Sequence, residues 1–228
     1  MIKEKNKFCI LLTATIDTKN CILTARTDPK TREEDYYVAL EKWLKQTSFP
    51  IVFCENSMYP LSRISQLASK YLNRVEIIQF NGNDKAKELG KGYGEMKIIQ
   101  KAMQLSNFIA NSENIIKVSG RIFISNIDQI IKNFKDDSVV GYTIHSTNAI
   151  QNLMQTIIFI FKHEFFPYLE KYAEEINDTK NIIFEKAFDW ALINIRTDGL
   201  KCIEINSPEY DGVSATTNIN YSDTFLKN

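Results

Sequence analysis

The chain has 228 residues, enough to bury the core of one large α/β domain or of two small ones. Its 28 lysines and arginines balance 28 aspartates and glutamates, which excludes a general basic field for nucleic acid and an acidic solvating tail. Four cysteines without a CxxC pair fit a reducing cytosol. The polar start MIKEKNKF has no signal-peptide pattern and no apolar run nears the ~20 residues of a membrane helix, so the chain is expected to be cytoplasmic, soluble or peripheral.

FCILLTATI (8–16) is apolar, β-branched and bounded by polar residues, which predicts a buried central strand. The polar segment DTKNCILTARTDPK leads to a helix opened by a Thr31–Glu34 capping box, with Tyr37, Leu40 and Leu44 inward. IVFCENS predicts a second short strand ending in Glu55, Asn56 and Ser57, then a helix with Leu61, Ile64, Leu67 and Tyr71 on one face. VEIIQF reads as a third strand and the Gly/Asn/Asp-rich FNGNDKAKELGKGYG as a loop, before a helix burying Ile98, Ala102, Leu105 and Ile109. IIKVSGR is a fourth strand with its turn, Ile127, Ile130, Ile131 and Phe134 mark a short helix, and SVVGYTIH is a fifth strand. This alternation predicts an α/β fold with a mostly parallel central sheet and helices on both faces.

Past residue 150 the pattern changes. TIIFIF reads as a strand by its β-branched content, and EFFPYLEKYAEEI as a helix with Pro167 in its first turn. NIIFEKAFDWALINIRTDG reads as a helix closed by Gly199, KCIEI as a last strand and SPEYDGVSATTN as a polar loop. With no linker or repeat between the halves, residues 1–228 read as one domain: 1–145 binds a nucleotide and 146–228 completes the site.

The glycines of GKGYGE, at 90, 92 and 94, match neither GxGxxG nor GxxxxGK[ST]. What remains is a close backbone approach to a ligand just before a helix, with Lys91 and Glu95 beside it. KVSGR sets Lys117 and Arg121 around Gly120, and the planar, always charged guanidinium of Arg121 suits a diphosphate. Arg26 is a second anion candidate, the alternative being a solvated loop charge. Asp17, Glu55 and Glu95 are expected to gather at the C-terminal edge of the sheet, where ligands bind in open α/β folds. Glu185, on an otherwise apolar helix face, needs a partner or a cleft. His145 and His163 have no metal-ligand spacing with any cysteine, and no HExxH, EF-hand or DxD pattern occurs.

The order ILLTATI, ARTDPKTREEDY, PIVFCENS, FNGND with GKGYGE, IIKVSGR and SPEYDGVSA resembles GT-A-type glycosyltransferases over nearly the whole chain. It is most similar to bacterial enzymes of capsule and lipopolysaccharide O-antigen loci, including galactofuranosyltransferase domains of O-antigen polymerising enzymes. The resemblance implies a Rossmann-like GT-A domain, a UDP-linked sugar donor, a glycan or lipid-linked glycan acceptor, and work at the inner face of the cytoplasmic membrane. By the same resemblance Thr13, Thr15 and Asp17 border the nucleotide pocket with Arg26 nearby, and Glu55 and Asn56 close its base and ribose side. Gly92, Gly94 and Glu95 meet the donor, and Tyr210, Asp211, Gly212 and Ser214 fold back over the diphosphate. Lys117, Gly120 and Arg121 stand where many GT-A enzymes hold a metal-binding DxD. With SGR there instead, no divalent metal is expected as an obligatory cofactor and cations neutralise the leaving diphosphate. Glu185 is then the base that deprotonates the acceptor hydroxyl of an inverting reaction. Two other classes stay open. A nucleotidyltransferase normally carries a glycine-rich loop after its first strand, where this chain has TATIDTKN; a non-catalytic domain would use the same cleft to hold a sugar nucleotide or a partner.

Overall fold

The first apolar run forms β1 (Asn6–Ala14), the strand around which the rest is arranged. The computed structural model describes residues 6–221 except 20, 23, 72 and 148–150, with backbone only at 145–147 and 151–153. β1 pairs in parallel with β2 (Ile51–Glu55) on one side and β4 (Ser112–Ser119) on the other, and β3 (Val75–Gln79) extends the parallel set beyond β2. β7 (Gln151–Lys162) lies antiparallel to β4 and to β6 (Val140–Thr147), and β8 (Cys202–Glu204) is parallel to β6. The sheet order is thus β3-β2-β1-β4-β7-β6-β8, mostly parallel as the alternation predicts. A two-stranded ribbon pairs β5 (Phe123–Ile124) with β9 (Tyr210–Asp211), so the expected tail loop contains a strand.

Period-two alternation sends β1 side chains to opposite faces and makes two cores. Ile10 and Leu12 pack with Tyr36, Leu40 and Trp43 of α1 (Pro29–Gln46) and with Ile64 and Leu67 of α2 (Ser62–Ser69). Cys9 and Leu11 pack with Met96 and Ile99 of α4 (Lys91–Leu105) and with Phe184, Phe188 and Leu192 of α8 (Phe184–Thr197). Fully burying one such large side chain contributes on the order of 1.5–3 kcal/mol. Cys9 and Cys54 sit within this second core, and burial pushes both thiols up to about 12.

Several boundaries differ from the sequence expectation. α1 begins at Pro29 and is capped by Asp28, whose Oδ2 accepts from Thr31 N at 2.8 Å and Thr31 Oγ1 at 2.5 Å. Proline is preorganised for a first helical position, so the helix starts earlier than a Thr31 cap would have it. Glu34 instead pairs with Arg63 at 2.8 Å, and Tyr36 rather than Tyr37 is the fully buried tyrosine. GKGYG is not a loop: α3 (Ala86–Leu89) precedes it and α4 starts at Lys91. Leu105 is exposed at the end of α4, and Ile109 belongs to the separate turn α5 (Asn107–Ala110). After α6 (Ile127–Asn133) and β7, the expected helix over EFFPYLEKYAEEI is only α7 (Phe166–Glu170) followed by a 3-10 turn. No helix among the described residues is long and apolar enough to cross a membrane.

Candidate functional site

Parallel strands leave their C-terminal ends open between helices from the two faces, and here that edge holds a cavity of about 510 Å³. Such a volume suits a small molecule. Of the residues expected at a site, Thr13, Thr15, Glu95, Arg121 and Glu185 line it, together with Arg32, Tyr36, Lys91, Gln155, Thr156 and Asp178. Ala215, Thr216 and Tyr221 of the C-terminal segment form another part of its wall.

One wall is cationic. Arg32, only 3% exposed, donates through Nε and Nη2 to Thr15 O at 2.9 and 2.5 Å, and through Nη1 to Arg26 O at 3.0 Å. Its Nη2 also reaches the Tyr36 hydroxyl at 3.2 Å, and that hydroxyl accepts from Thr15 N at 3.0 Å. Burial holds the Arg32 pKa below the usual arginine value, and the nearby Arg121 pushes the same way. Arg121, half-buried, donates from Nε to Val213 O at 2.9 Å. Among the described residues neither guanidinium has a carboxylate in salt-bridge range. Lys91 adds a third cation at the edge, donating to Thr216 Oγ1 at 2.7 Å.

Another part of the lining is acidic. Glu95 of α4 and Glu185 in the first turn of α8 both reach the cavity, and a helix N-terminus favours the negative charge of Glu185. Glu185 Oε1 accepts from Thr156 Oγ1 at 2.8 Å. Glu95 Oε1 pairs with Lys117, which also donates to Thr156 O. Lys117 is fully buried and does not line the cavity, so it cannot meet a leaving diphosphate as expected.

The glycine run packs against the protein rather than leaving room for a donor. A Cβ on Gly90 or Gly92 would strike the carboxylate of Asp178, and one on Gly94 would sit 3.2 Å from Asn56 Nδ2. Gly90 also has φ +91°, a conformation that glycine adopts without strain. Asp178 is 8% exposed, accepts from Gly92 N at 3.3 Å through Oδ2, and leaves Oδ1 without a hydrogen-bond partner among the described residues. Burial raises its pKa, opposed by the backbone N–H of Gly92.

Other expected residues frame the site from outside it. Arg26 forks onto Asp35 with contacts of 2.5 and 2.8 Å and donates to Asn218 Oδ1 at 2.7 Å, which makes it a strut between α1 and the C-terminal segment. Glu55 is fully buried: its Oε1 accepts from Ile16 N at 3.2 Å and Ser57 N at 2.8 Å, its Oε2 from Gln79 Nε2 at 3.1 Å, so it splints strand ends. Asn56 accepts from Thr15 Oγ1 at 2.7 Å and donates to Gly94 O at 3.2 Å. Asp17 turns its Oδ1 to Lys19 N at 2.9 Å. Gly120 N donates to Thr13 O at 2.8 Å, an approach that a Cβ at 2.8 Å from the same oxygen would spoil. Tyr210 donates its hydroxyl to Gln155 Oε1 at 2.5 Å, and burial raises its pKa. Gly212 (φ +150°) passes close to Arg121 O, and Ser214 N donates to Ile219 O at 2.9 Å, both shaping the segment that carries Ala215 and Thr216 to the cavity. His163 Nε2 contacts Ser112 O at 3.1 Å, a structural role, and the His145 side chain lies outside the described residues.

Sequence reasoning missed Arg32, Tyr36, Thr156 and Asp178. Arg32 and Tyr36 had a usable signal: with Leu40 and Trp43 they fall on one stripe of α1 at i, i+4, i+8 and i+11, so an arginine in that register enters the core side. Asp178 had none, because its partner lies 86 residues away. Ser119 at the end of β4 and Gly120 and Arg121 just past it stand where the resemblance would put a DxD, and no group of three or more His, Cys, Asp or Glu among the described residues is placed to hold an ion.

No family model matches the chain, and no curated protein matches it. Solved structures do match. The inositol-1-phosphate CTP transferase from T. maritima aligns with a TM-score of 0.55 at 14% identity, over 97% of this chain and 95% of that one. The galactosyltransferase LgtC, solved with donor and acceptor sugar analogs, aligns with a TM-score of 0.50 at 9% identity over 79% and 69%. The bifunctional glycosyltransferase WbbM aligns at 0.52 and 8% over 84% of this chain, which spans 38% of that protein. At these identities the likeness is one of fold: a Rossmann-like α/β sheet of the kind GT-A glycosyltransferases share with nucleotidyltransferases.

Proposed function

We propose that this chain is a glycosyltransferase that moves a sugar from a nucleotide sugar, UDP-linked, to a glycan acceptor of a cell-surface polysaccharide or lipopolysaccharide. One observation carries the reading: a single cavity is lined both by guanidinium groups without carboxylate partners among the described residues, Arg32 and Arg121, and by the carboxylates Glu95 and Glu185. A ligand with an anionic end and a hydroxyl-rich end matches that polarity. The diphosphate lies against Arg121 with Lys91 at the edge, while the sugar faces Glu95 and Glu185. Glu185 accepts the proton of the acceptor hydroxyl as that oxygen bonds to the anomeric carbon; the bond from this carbon to the diphosphate breaks with inversion, and the nucleoside diphosphate departs with the electron pair. Preorganised guanidinium groups stabilise the charge that develops on it, so no step is routed through a metal. A lipid-linked acceptor would hold the chain peripherally at the inner face of the cytoplasmic membrane.

Thermal-shift measurement against UDP-, GDP-, CMP- and dTDP-sugars, with and without manganese, tests the reading, since a ligand of the folded state alone raises its stability by mass action. Selective stabilisation by a UDP-sugar is expected. Stabilisation by none, or activity abolished by EDTA and restored by manganese, overturns the donor or the metal claim respectively. The second reading, a nucleotidyltransferase, is favoured by the near-complete overlap with the CTP transferase. Against it, the turn after β1 has no glycine between Ala14 and Lys19 to admit a triphosphate closely. Release of pyrophosphate from CTP or UTP in the presence of a sugar phosphate would support it over sugar transfer.

A further inference from the structure

β4 alternates across the sheet: Ile116 and Val118 enter the core beneath α1, while Ile115 and Lys117 enter the core beneath α4 and α8. An ammonium therefore stands where the register calls for an apolar side chain. It is fully buried, 5.5 Å from the ring centre of Phe159 and 5.8 Å from that of Phe184. Taking an ammonium out of water is costly, and an ion pair seldom recovers more than that cost. An apolar pair of the same volume would serve stability as well or better. The arrangement instead fixes positions. Lys117 Nζ holds Glu95 Oε1 and Thr156 O, and the Thr156 hydroxyl in turn holds Glu185 Oε1 at 2.8 Å. One buried cation thus sets both carboxylates of the acidic wall. Glu95 remains 23% exposed and lines the cavity, and its contacts with Lys117 and Thr13 both use Oε1, which leaves Oε2 without a hydrogen bond among the described residues.

We infer that Glu95 determines specificity by accepting a hydrogen bond from a hydroxyl of the transferred sugar, with Lys117 as its positioning residue; this rests on the transferase reading above. A carboxylate already paired with a cation is matched to a neutral donor, which a sugar hydroxyl is and a second cation is not. Lys117 has no part in binding the diphosphate, because its Nζ faces Glu95 and the Thr156 carbonyl within the protein.

Glu95→Gln alone strands a buried ammonium and risks the fold, so the decisive protein is the double variant Lys117→Met with Glu95→Gln, which removes both charges. Its melting temperature is expected within about 5 °C of wild type. Its UDP affinity, by calorimetry, is expected within about twofold, because the nucleotide subsite is untouched. kcat/KM for hydrolysis or transfer of UDP-galactose is expected to fall about tenfold to hundredfold, the span of one hydrogen bond to a charged acceptor. Against deoxy analogues of UDP-galactose lacking one hydroxyl each, the wild type should reject one analogue strongly and the double variant should lose that discrimination. Wild-type turnover in the folded double variant, or discrimination retained among the analogues, overturns the inference and makes the pair purely structural. A wild-type chain that binds no UDP overturns the transferase reading first, and the inference with it.

Discussion

Lys117 and Arg121 lie four residues apart, one within β4 and one just past its end, and the structure treats them in opposite ways. Lys117 is fully buried and answered by Glu95, a backbone carbonyl and two aromatic rings. Arg121 is half-buried at the cavity and answered by one neutral carbonyl. The same contrast extends to the other charges lining the cavity, since among the described residues Arg32 also donates only to neutral oxygens while Glu95 and Glu185 are tied together through Lys117 and Thr156. A cation whose charge is met inside the protein positions its neighbours; a cation left with neutral partners is available to an anion.

The sharpest test falls on the acidic wall. Glu185→Gln keeps the side-chain shape and the Thr156 contact but cannot accept a proton, so turnover should fall by about 10²–10⁴-fold while UDP affinity holds. Retained turnover would move the base to Glu95, the other carboxylate of the pair at the cavity. On the cationic wall, Arg121→Ala should lower turnover by about 10²–10³-fold, as loss of one preorganised charge-stabilising group does. Its melting temperature should barely move, because the guanidinium has no carboxylate partner to strand. A melting-temperature drop that accounts for the lost activity would erase the contrast with Lys117.

The smallest effect concerns pH and Asp178, which is partnered on one oxygen and unpartnered on the other. Its folded-state pKa is raised chiefly by burial, with Glu95 adding to the rise and Lys91 and the Gly92 N–H opposing it. The folded chain therefore holds this proton more tightly than the unfolded chain does. The stability contributed is complete below the ordinary aspartate value and is lost as pH climbs through the raised one. Urea unfolding from pH 3 to 7 should show the wild type losing ground to Asp178→Asn across that window. Parallel curves for the two proteins would mean that the carboxyl titrates alike in both states.

The α/β alternation was legible because apolar runs of five to nine residues bounded by polar turns leave few other structures open, as β1 and β2 illustrate. The start of α4 was not. Three glycines in five residues read as a turn, yet Gly90 and Gly92 clear space for the Asp178 carboxylate against that helix, and the contact spans 86 residues of chain. Arg26 and Glu55 illustrate the same limit from the other side. Both are charged groups near strand ends, and only three-dimensional proximity to Asp35 and to Ile16 and Ser57 commits them to holding the frame.

By itself the sequence determined the strand and helix inventory of the first half, the placement of Thr13, Thr15 and Arg121 near strand ends and of Glu95 at a helix start, and the absence of a DxD, because these follow from local patterns of apolarity and residue type. Tertiary structure alone decided which charges are spent and which are free. Whether a lysine or an arginine can meet a ligand depends on its burial and on the partner facing it, and for Lys117, Arg32 and Asp178 those partners come from distant strands, turns and helices.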